Sequence, residues 1–220
     1  MALEKIERQN YVSILSSDAT FRVVVPDGTE GSIKREYETS DGKKGTKTEL
    51  VFNKLTGKIT NIGFYDGDFG KQLQLTITDD KGDLTLSVNT AQNYGEDIMK
   101  KIPNINLDKE VVLVPYSFED DKGKIRKGVT ITQDGKKIES FFYDKVAKKN
   151  VNGYPDPEGD RKDYDKDSWR VYFIQARKFL VGYTEKHFPA KEHKTINKTT
   201  DISDIYPTEE ESIKAENIPW

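Results

Sequence analysis

The stretch GKITNIGFYDGDFGKQLQLTITDDKGDLTLSV, residues 57–88, decides the fold. Apolar and polar residues alternate over QLQLTIT (72–78) and over LTLSV (84–88), which is the period of a β-strand with one buried face. The short turn DDKG (79–82) separates these two segments, so they are predicted to form a hairpin. GKITNIGFY (57–65) precedes the hairpin as a further strand, and its internal glycine indicates a bulge or a sharp bend.

The residues after this stretch add a helix and more strands. Residues 91–102 are predicted to form a short helix that Pro103 closes, and 109–118 and 128–133 are predicted strands. The segment IESFFY (138–143) follows a turn and is also predicted to be extended. The order of strand, strand, strand, helix, strand, strand is that of the OB-fold, a five-stranded Greek-key barrel. The predicted fold class is therefore mainly β, with an OB-fold-like barrel as its core.

The chain divides into four predicted regions. Residues 1–56 form an N-terminal β extension packed on the barrel, with strands over FRVVV, SIKREYE and KTELVFN. Residues 57–143 form the OB-fold core, and 144–200 form a polar loop followed by a C-terminal amphipathic helix whose aromatic residues recur every three or four positions. This aromatic stripe is predicted to pack on the barrel, with self-association or partner binding as the alternative. Residues 201–220 form an acidic tail that is predicted to be disordered.

Composition argues against several classes of protein. Hydrophobic residues make up 34% of the chain and charged residues 33%, and no run of about 18 apolar residues suggests a membrane span. The first residues lack the pattern of a signal peptide, so a cytoplasmic protein is expected, in the host cytoplasm if the origin is a phage. The chain has no cysteine and two histidines, which leaves little for thiolate zinc sites or histidine catalysis. We expect no enzyme, no cofactor and no metal.

Two local patterns come near to cofactor motifs and depart from them. GDFGK (67–71) lacks the four-residue gap and the following Ser or Thr of a phosphate-binding loop. The acids at 163, 165 and 167 resemble the start of a calcium loop, but Ser168 stands where glycine is needed and Ile174 where glutamate is needed. Neither pattern predicts a ligand site.

Basic and aromatic residues gather in the predicted loops and in the N-terminal extension. Binding of single-stranded nucleic acid needs cations that neutralise phosphates and flat side chains that stack on bases. In an OB barrel such residues lie on the second and third strands and in the loops after strands one and four. Strand aromatics are more often core, and the exposed faces of 72–78 and 84–88 carry only Gln, Thr and Ser, so loops must supply the stacking. The candidate residues are Arg35, Tyr37, Lys47, Tyr65, Phe69, Lys71, Phe118, Lys122, Lys124, Arg126, Lys127, Lys137 and Tyr143.

Charge is distributed unevenly along the chain. The last twenty residues carry six acids and one base, a side-chain charge of −5, while the whole chain is −3, so the rest of the chain is +2. A mildly basic body with an acidic end is a pattern of interaction tails.

These residues resemble a known family. GKITNIGFYDGDFGKQLQLTITDDKGDLTLSV resembles the first three strands of phage-type single-stranded DNA-binding proteins, and the chain end AENIPW is similar to the acidic tip of bacterial single-stranded DNA-binding proteins, which ends in Ile-Pro-Phe. In this chain Trp220 replaces the Phe, and Asn217 replaces an acid. The resemblance implies sequence-independent binding of single-stranded DNA in DNA replication, recombination or repair, without catalysis. It also implies a tail that recruits replication or repair proteins through Glu209, Glu210, Glu211, Glu216, Ile218, Pro219 and Trp220.

Two functions other than binding of single-stranded DNA are compatible with the same residues. A non-catalytic structural or adaptor protein of a virion would use the β-barrel for protein contacts, and a carbohydrate-binding β-domain is a third reading. Nucleic-acid binding alone must weaken steeply as salt rises, because counterions are released. Membrane binding is not expected, and a homodimer is compatible with the sequence.

Overall fold

The structure, a computed structural model, describes residues 10–39, 42–67 and 70–190. Among these residues it has twelve β-strands and two α-helices. The strands are β1 (Asn10–Leu15), β2 (Thr20–Val24), β3 (Ile33–Glu38), β4 (Lys44–Phe52), β5 (Leu55–Gly67), β6 (Gly70–Asp79), β7 (Gly82–Asn89), β8 (Glu110–Glu119), β9 (Ile125–Gln133), β10 (Lys136–Lys137), β11 (Tyr143–Asp144) and β12 (Lys149–Asn150). The helices are α1 (Asn93–Lys101) and α2 (Lys166–His187).

Ten strands form one mixed sheet in the order β10-β9-β8-β5-β6-β7-β1-β2-β4-β3. The prediction of a mainly β protein is therefore confirmed. The predicted hairpin is β6–β7, in which Asp79 lies opposite Gly82 and Leu75 lies opposite Leu86. In β5 the pairing register with β6 shifts between Ile59 and Asn61, two positions before the glycine that suggested a bulge or bend.

The sheet does not form a closed barrel, because no strand pairing among the described residues joins β9 to β7. Helix α1 instead covers the edge of β9. The Asp97 carboxylate accepts a hydrogen bond from the Val129 backbone N–H at 2.7 Å, and the Lys101 ammonium donates to the Val129 carbonyl at 2.6 Å. Asp97 and Lys101 also pair with each other at 2.7 Å. The side chains of Asp97 and Lys101 thus bind the N–H and C=O of Val129, to which a strand closing the barrel would otherwise bind. This protects the edge of β9 from pairing with another strand.

Strand β1 is absent from the sequence prediction and changes the topology. It runs parallel to β7, with Val12 opposite Leu86, and antiparallel to β2. The predicted strands FRVVV, SIKREYE and KTELVFN of the N-terminal extension correspond to β2, β3 and β4. They continue the same sheet in the order β2-β4-β3. The sheet curls, so that the Lys127 ammonium of β9 donates to the Ser16 hydroxyl of the β1–β2 turn at 2.8 Å.

The predicted strand over 138–143 is wrong. Pairing with β9 ends at Lys137, and the segment that follows is irregular until Tyr143 enters the small β11–β12 sheet. Phe142 is 1% exposed, and its ring contacts Tyr154, Phe179 and Tyr183 at centroid distances of 4.9 to 5.8 Å. The segment therefore serves as an anchor for the C-terminal helix rather than as a strand.

The predicted C-terminal amphipathic helix is confirmed as α2. The Asp165 side chain caps its start by accepting a hydrogen bond from the Ser168 backbone N–H at 2.7 Å. Ala176, Leu180 and Thr184, spaced four residues apart, are its buried residues, and α2 packs on α1. None of the described helices is long and apolar enough to cross a membrane.

Candidate functional site

One side of the large sheet carries polar and aromatic side chains, while the other side carries the core. Leu73, Leu75, Leu86 and Val12 are buried on the core side. We call the opposite side the outer face. Because cross-strand partners point to the same side, the printed registers assign residues to it across seven strands. The outer face carries Tyr65, Gln72, Gln74, Thr76, Thr85, Ser87, Tyr11, Ser13, Arg22, Glu49, Lys47, Arg35 and Tyr37, and also the aliphatic residues Val24, Val51 and Ile33. Thr76, Arg22 and Glu49 are buried on this face.

Two exposed tyrosines flank the polar middle of the outer face. Tyr65 of β5 is 59% exposed and lies opposite Gln72. Tyr11 of β1 is 51% exposed and lies opposite Thr85 of β7. Sequence reasoning missed Tyr11, although the alternation of Tyr11 and Ser13 with Val12 and Ile14 was a signal for it. Both tyrosines thus lie on strands, whereas the sequence predicted stacking only from loops.

Arg35, Tyr37 and Lys47 lie together at the far strands of the outer face. Arg35 lies opposite Lys47, and the Lys47 ammonium stands 5.0 Å from the centre of the Tyr37 ring. Gly45 lies opposite Tyr37, and a Cβ at that position would overlap the Tyr37 hydroxyl. Glycine is therefore what lets the ring lie flat across the strand.

An ion network within β2, β4 and β3 engages Arg35. Its guanidinium donates two hydrogen bonds, at 3.0 and 2.7 Å, to the buried carboxylate of Glu49. The Arg22 guanidinium lies 3.7 Å from the same carboxylate and also pairs with Asp18. Arg35 thus balances a buried charge.

The β8–β9 turn holds the other basic candidates, and Asp120 organises it. The Asp120 carboxylate accepts hydrogen bonds from the Lys122 and Lys124 backbone N–H groups and from the Arg126 guanidinium at 2.7 Å. The hydrogen bond from the Lys124 backbone, followed by that from Arg126, lowers the pKa of Asp120. Lys122 and Lys124 are exposed and form no ion pair with any described residue. Phe118, 55% exposed, lies opposite Arg126 beside the ring of Tyr116.

A hydrogen bond connects the start of β9 with the β1–β2 turn. Tyr65 is opposite Gln72, and Gln72 is opposite Asn89 at the end of β7. Because β1 runs parallel to β7, the β1–β2 turn lies at that same end, and there Ser16 accepts the hydrogen bond from Lys127, the third residue of β9.

The remaining candidates lie elsewhere. The Lys71 ammonium pairs with Asp66 at 3.2 Å and with Glu185 of α2 at 3.4 Å, and the hydrogen bond to Asp66 raises the pKa of Lys71. Lys137 lies opposite Thr132, near the end of β9 that is remote from the turn, and Tyr143 is in the β11–β12 sheet. Phe69 and the tail residues Glu209, Glu210, Glu211, Glu216, Ile218, Pro219 and Trp220 lie outside the described residues.

The described residues contain no group of three or more His, Cys, Asp or Glu side chains that could hold a metal ion. Open grooves lie beside the C-terminal half of α2, one bordered by Lys178, Tyr183 and Lys186 and another by Asn61, His187 and Phe188. His187 is exposed and stacks on Tyr183 at a centroid distance of 4.0 Å.

Comparison of the chain with models of protein families, with curated proteins and with solved structures finds no match.

Proposed function

We propose that this protein binds single-stranded DNA without sequence preference on the outer face of its sheet, as part of phage DNA replication, recombination or repair. The observation that carries the proposal is the placement of Tyr65 and Tyr11 on the same side of the sheet, with uncharged Gln, Thr and Ser side chains between them. Base stacking on aromatic rings tolerates any sequence, because every base has a flat face.

We further propose that β5 to β9 and α1 form an OB-fold unit in which β7 and β9, the two strands that would close the barrel, are not paired. In support, β5 pairs with both β6 and β8, β6 pairs with β7, and β8 pairs with β9. Helix α1 stands between the third and fourth of these strands in the chain, as in the OB order. In such a unit the faces of the second and third strands, here β6 and β7, bind the nucleic acid.

Electrostatics support the same surface. Excluding the last twenty residues, the chain carries a charge of +2; Lys47 lies on the outer face, and Lys122 and Lys124 are exposed in the β8–β9 turn. Single strands need a basic groove that follows the phosphates. We propose that the acidic tail, which lies outside the described residues, recruits replication or repair proteins and that Trp220 anchors it in an apolar pocket of the partner.

Replacing both Tyr11 and Tyr65 with alanine is expected to weaken binding of oligo-dT by about 5- to 160-fold for each ring, because stacking is worth about 1–3 kcal/mol per base. Fluorescence anisotropy with labelled oligo-dT measures the change. Tyr143→Ala is the control, because Tyr143 is also exposed but lies off the outer face, and its affinity should stay near that of the unmodified protein. Equal losses in both variants, or no loss in the folded double variant, would remove the outer face from the binding site.

Reversing the charge of Lys122 and Lys124 to glutamate is expected to weaken binding to every sequence. Each phosphate contact on a single strand contributes about 0.7 to the slope of log K against log salt, so the slope should fall by about 1.4. Titrations of oligo-dT and oligo-rU at several salt concentrations give the slope. A duplex titrated in parallel is expected to bind more weakly than either.

The matched control reverses Lys54 and Lys81, which are exposed in the β4–β5 and β6–β7 turns and change the net charge equally. An unchanged slope in this control and a lowered slope in the first variant assign the contacts to the β8–β9 turn. Equal changes in both variants would mean that only total charge matters. Binding that ignores salt altogether would contradict nucleic-acid binding and favour a protein adaptor.

A further inference from the structure

Strand β3 ends the large sheet and leaves one backbone edge without a partner strand among the described residues. The Thr39 N–H donates to the Lys43 carbonyl at 2.8 Å, so Thr39 and Lys43 are a hydrogen-bonded pair of the β3–β4 ladder. In an antiparallel ladder every second residue turns its N–H and C=O to the neighbouring strand. Residues 33, 35 and 37 therefore face β4, while the backbone groups of Lys34, Glu36 and Glu38 point outward.

We propose that two copies of this protein form a dimer by pairing their β3 edges antiparallel across a two-fold axis at Glu36. The occupant of the edge is thus a second copy of the chain. This register brings Glu36 opposite Glu36 of the second copy and Lys34 opposite Glu38 of the second copy on both sides of the axis. It is the only register in which all three outward-facing residues of each strand pair with one another.

Charge complementarity supports this register. Lys34 and Glu38 are of opposite sign and meet twice, once on each side of the axis. In the single copy Lys34 pairs with Asp27 at 3.3 Å and Glu38 with Lys44 at 3.9 Å, all four side chains being exposed. Such exposed pairs are weak, so both residues are able to take partners across the interface.

The Glu36 pair is the one contact of like charge in the dimer, and it makes the association weaker than the backbone pairing alone would allow. The same charges on an edge also serve in other proteins to prevent pairing. The dimer brings specific residues of the two copies together and a protected edge does not, so cross-linking distinguishes the two possibilities. The dimer would continue the outer face of one copy into that of the other, with Arg35, Tyr37 and Lys47 on both sides of the axis.

Disulfide trapping tests the register, because the chain has no cysteine of its own. In the dimer the Cα atoms of the two residues at position 36 lie about 5.5 Å apart, which is within disulfide reach. Two residues at position 38 lie four residues apart along the strands, about 14 Å, which is too far. Glu36→Cys is expected to form a cross-linked dimer under mild oxidation at least tenfold faster than Glu38→Cys, which is equally exposed on the same edge.

A charge swap in the Glu36→Cys protein checks the partners. Lys34→Glu should slow cross-linking, because it puts two acids opposite each other, and adding Glu38→Lys should restore the rate. Thermal melting confirms that each variant is folded. Equal cross-linking rates at positions 36 and 38, or a swap that fails to restore the rate, would overturn the proposed interface and leave β3 as a protected edge.

Discussion

Replacing Phe142 with alanine is expected to lower the free energy of unfolding by about 3–5 kcal/mol, the range for a large aromatic residue removed from a core. The Phe142 side chain is fully enclosed and contacts rings from both the segment after β10 and helix α2. Its loss leaves a cavity between them that these rings fill only in part. Urea denaturation followed by circular dichroism measures the change.

Tyr143→Ala is the matched control, because it truncates the neighbouring aromatic at a position that is 44% exposed. A change of less than about 0.5 kcal/mol is expected there, as for most surface substitutions. Similar losses at the two positions would mean that the segment is not anchored by Phe142. If the Phe142 variant does not fold, Phe142→Leu, which keeps most of the volume, should still fold with a smaller loss of stability.

Replacing Asp97 with alanine is expected to cost about 3 kcal/mol of stability, at the lower end of the range for breaking a buried ion pair. The Lys101 side chain is 7% exposed and would lose its ion pair with Asp97 while keeping its hydrogen bond to the Val129 carbonyl. The Val129 N–H at the open edge of β9 would lose its acceptor as well. Urea denaturation again reports the loss.

Glu38→Ala serves as the control, because Glu38 and Lys44 form an ion pair whose side chains are 59% and 80% exposed. An exposed pair contributes little, so this variant should lose no more than about 1 kcal/mol. A loss as large as that of Asp97→Ala would show that any charge pair matters equally. Only a larger loss for Asp97→Ala supports the role of Asp97 and Lys101 as the cap of the β9 edge.

Residues of the candidate site could be predicted from the sequence only where the pattern of neighbouring residues indicates them. The alternation around Tyr65 and the position of the basic turn at 122–127 were visible, because both depend on nearby residues. Tyr11 was missed, because β1 is short and its neighbour β7 lies more than seventy residues away. That Arg35 is engaged by Glu49, and Lys71 by Glu185, could not be seen either, since each pair joins residues distant in the chain.

The sequence by itself determined β2 to β9 and the two helices, because a buried face imposes a period of two on a strand and of 3.6 on a helix within a few residues. It did not determine β1 or the irregular segment after β10. It determined the β6–β7 hairpin for the same local reason. Only the tertiary structure decided which strands meet and which of Phe141, Phe142 and Tyr143 enters the core. It also decided that α1, through Asp97 and Lys101, covers the edge of β9 where a barrel would close. These outcomes depend on pairings and packing between segments far apart in the chain, and no local period records them.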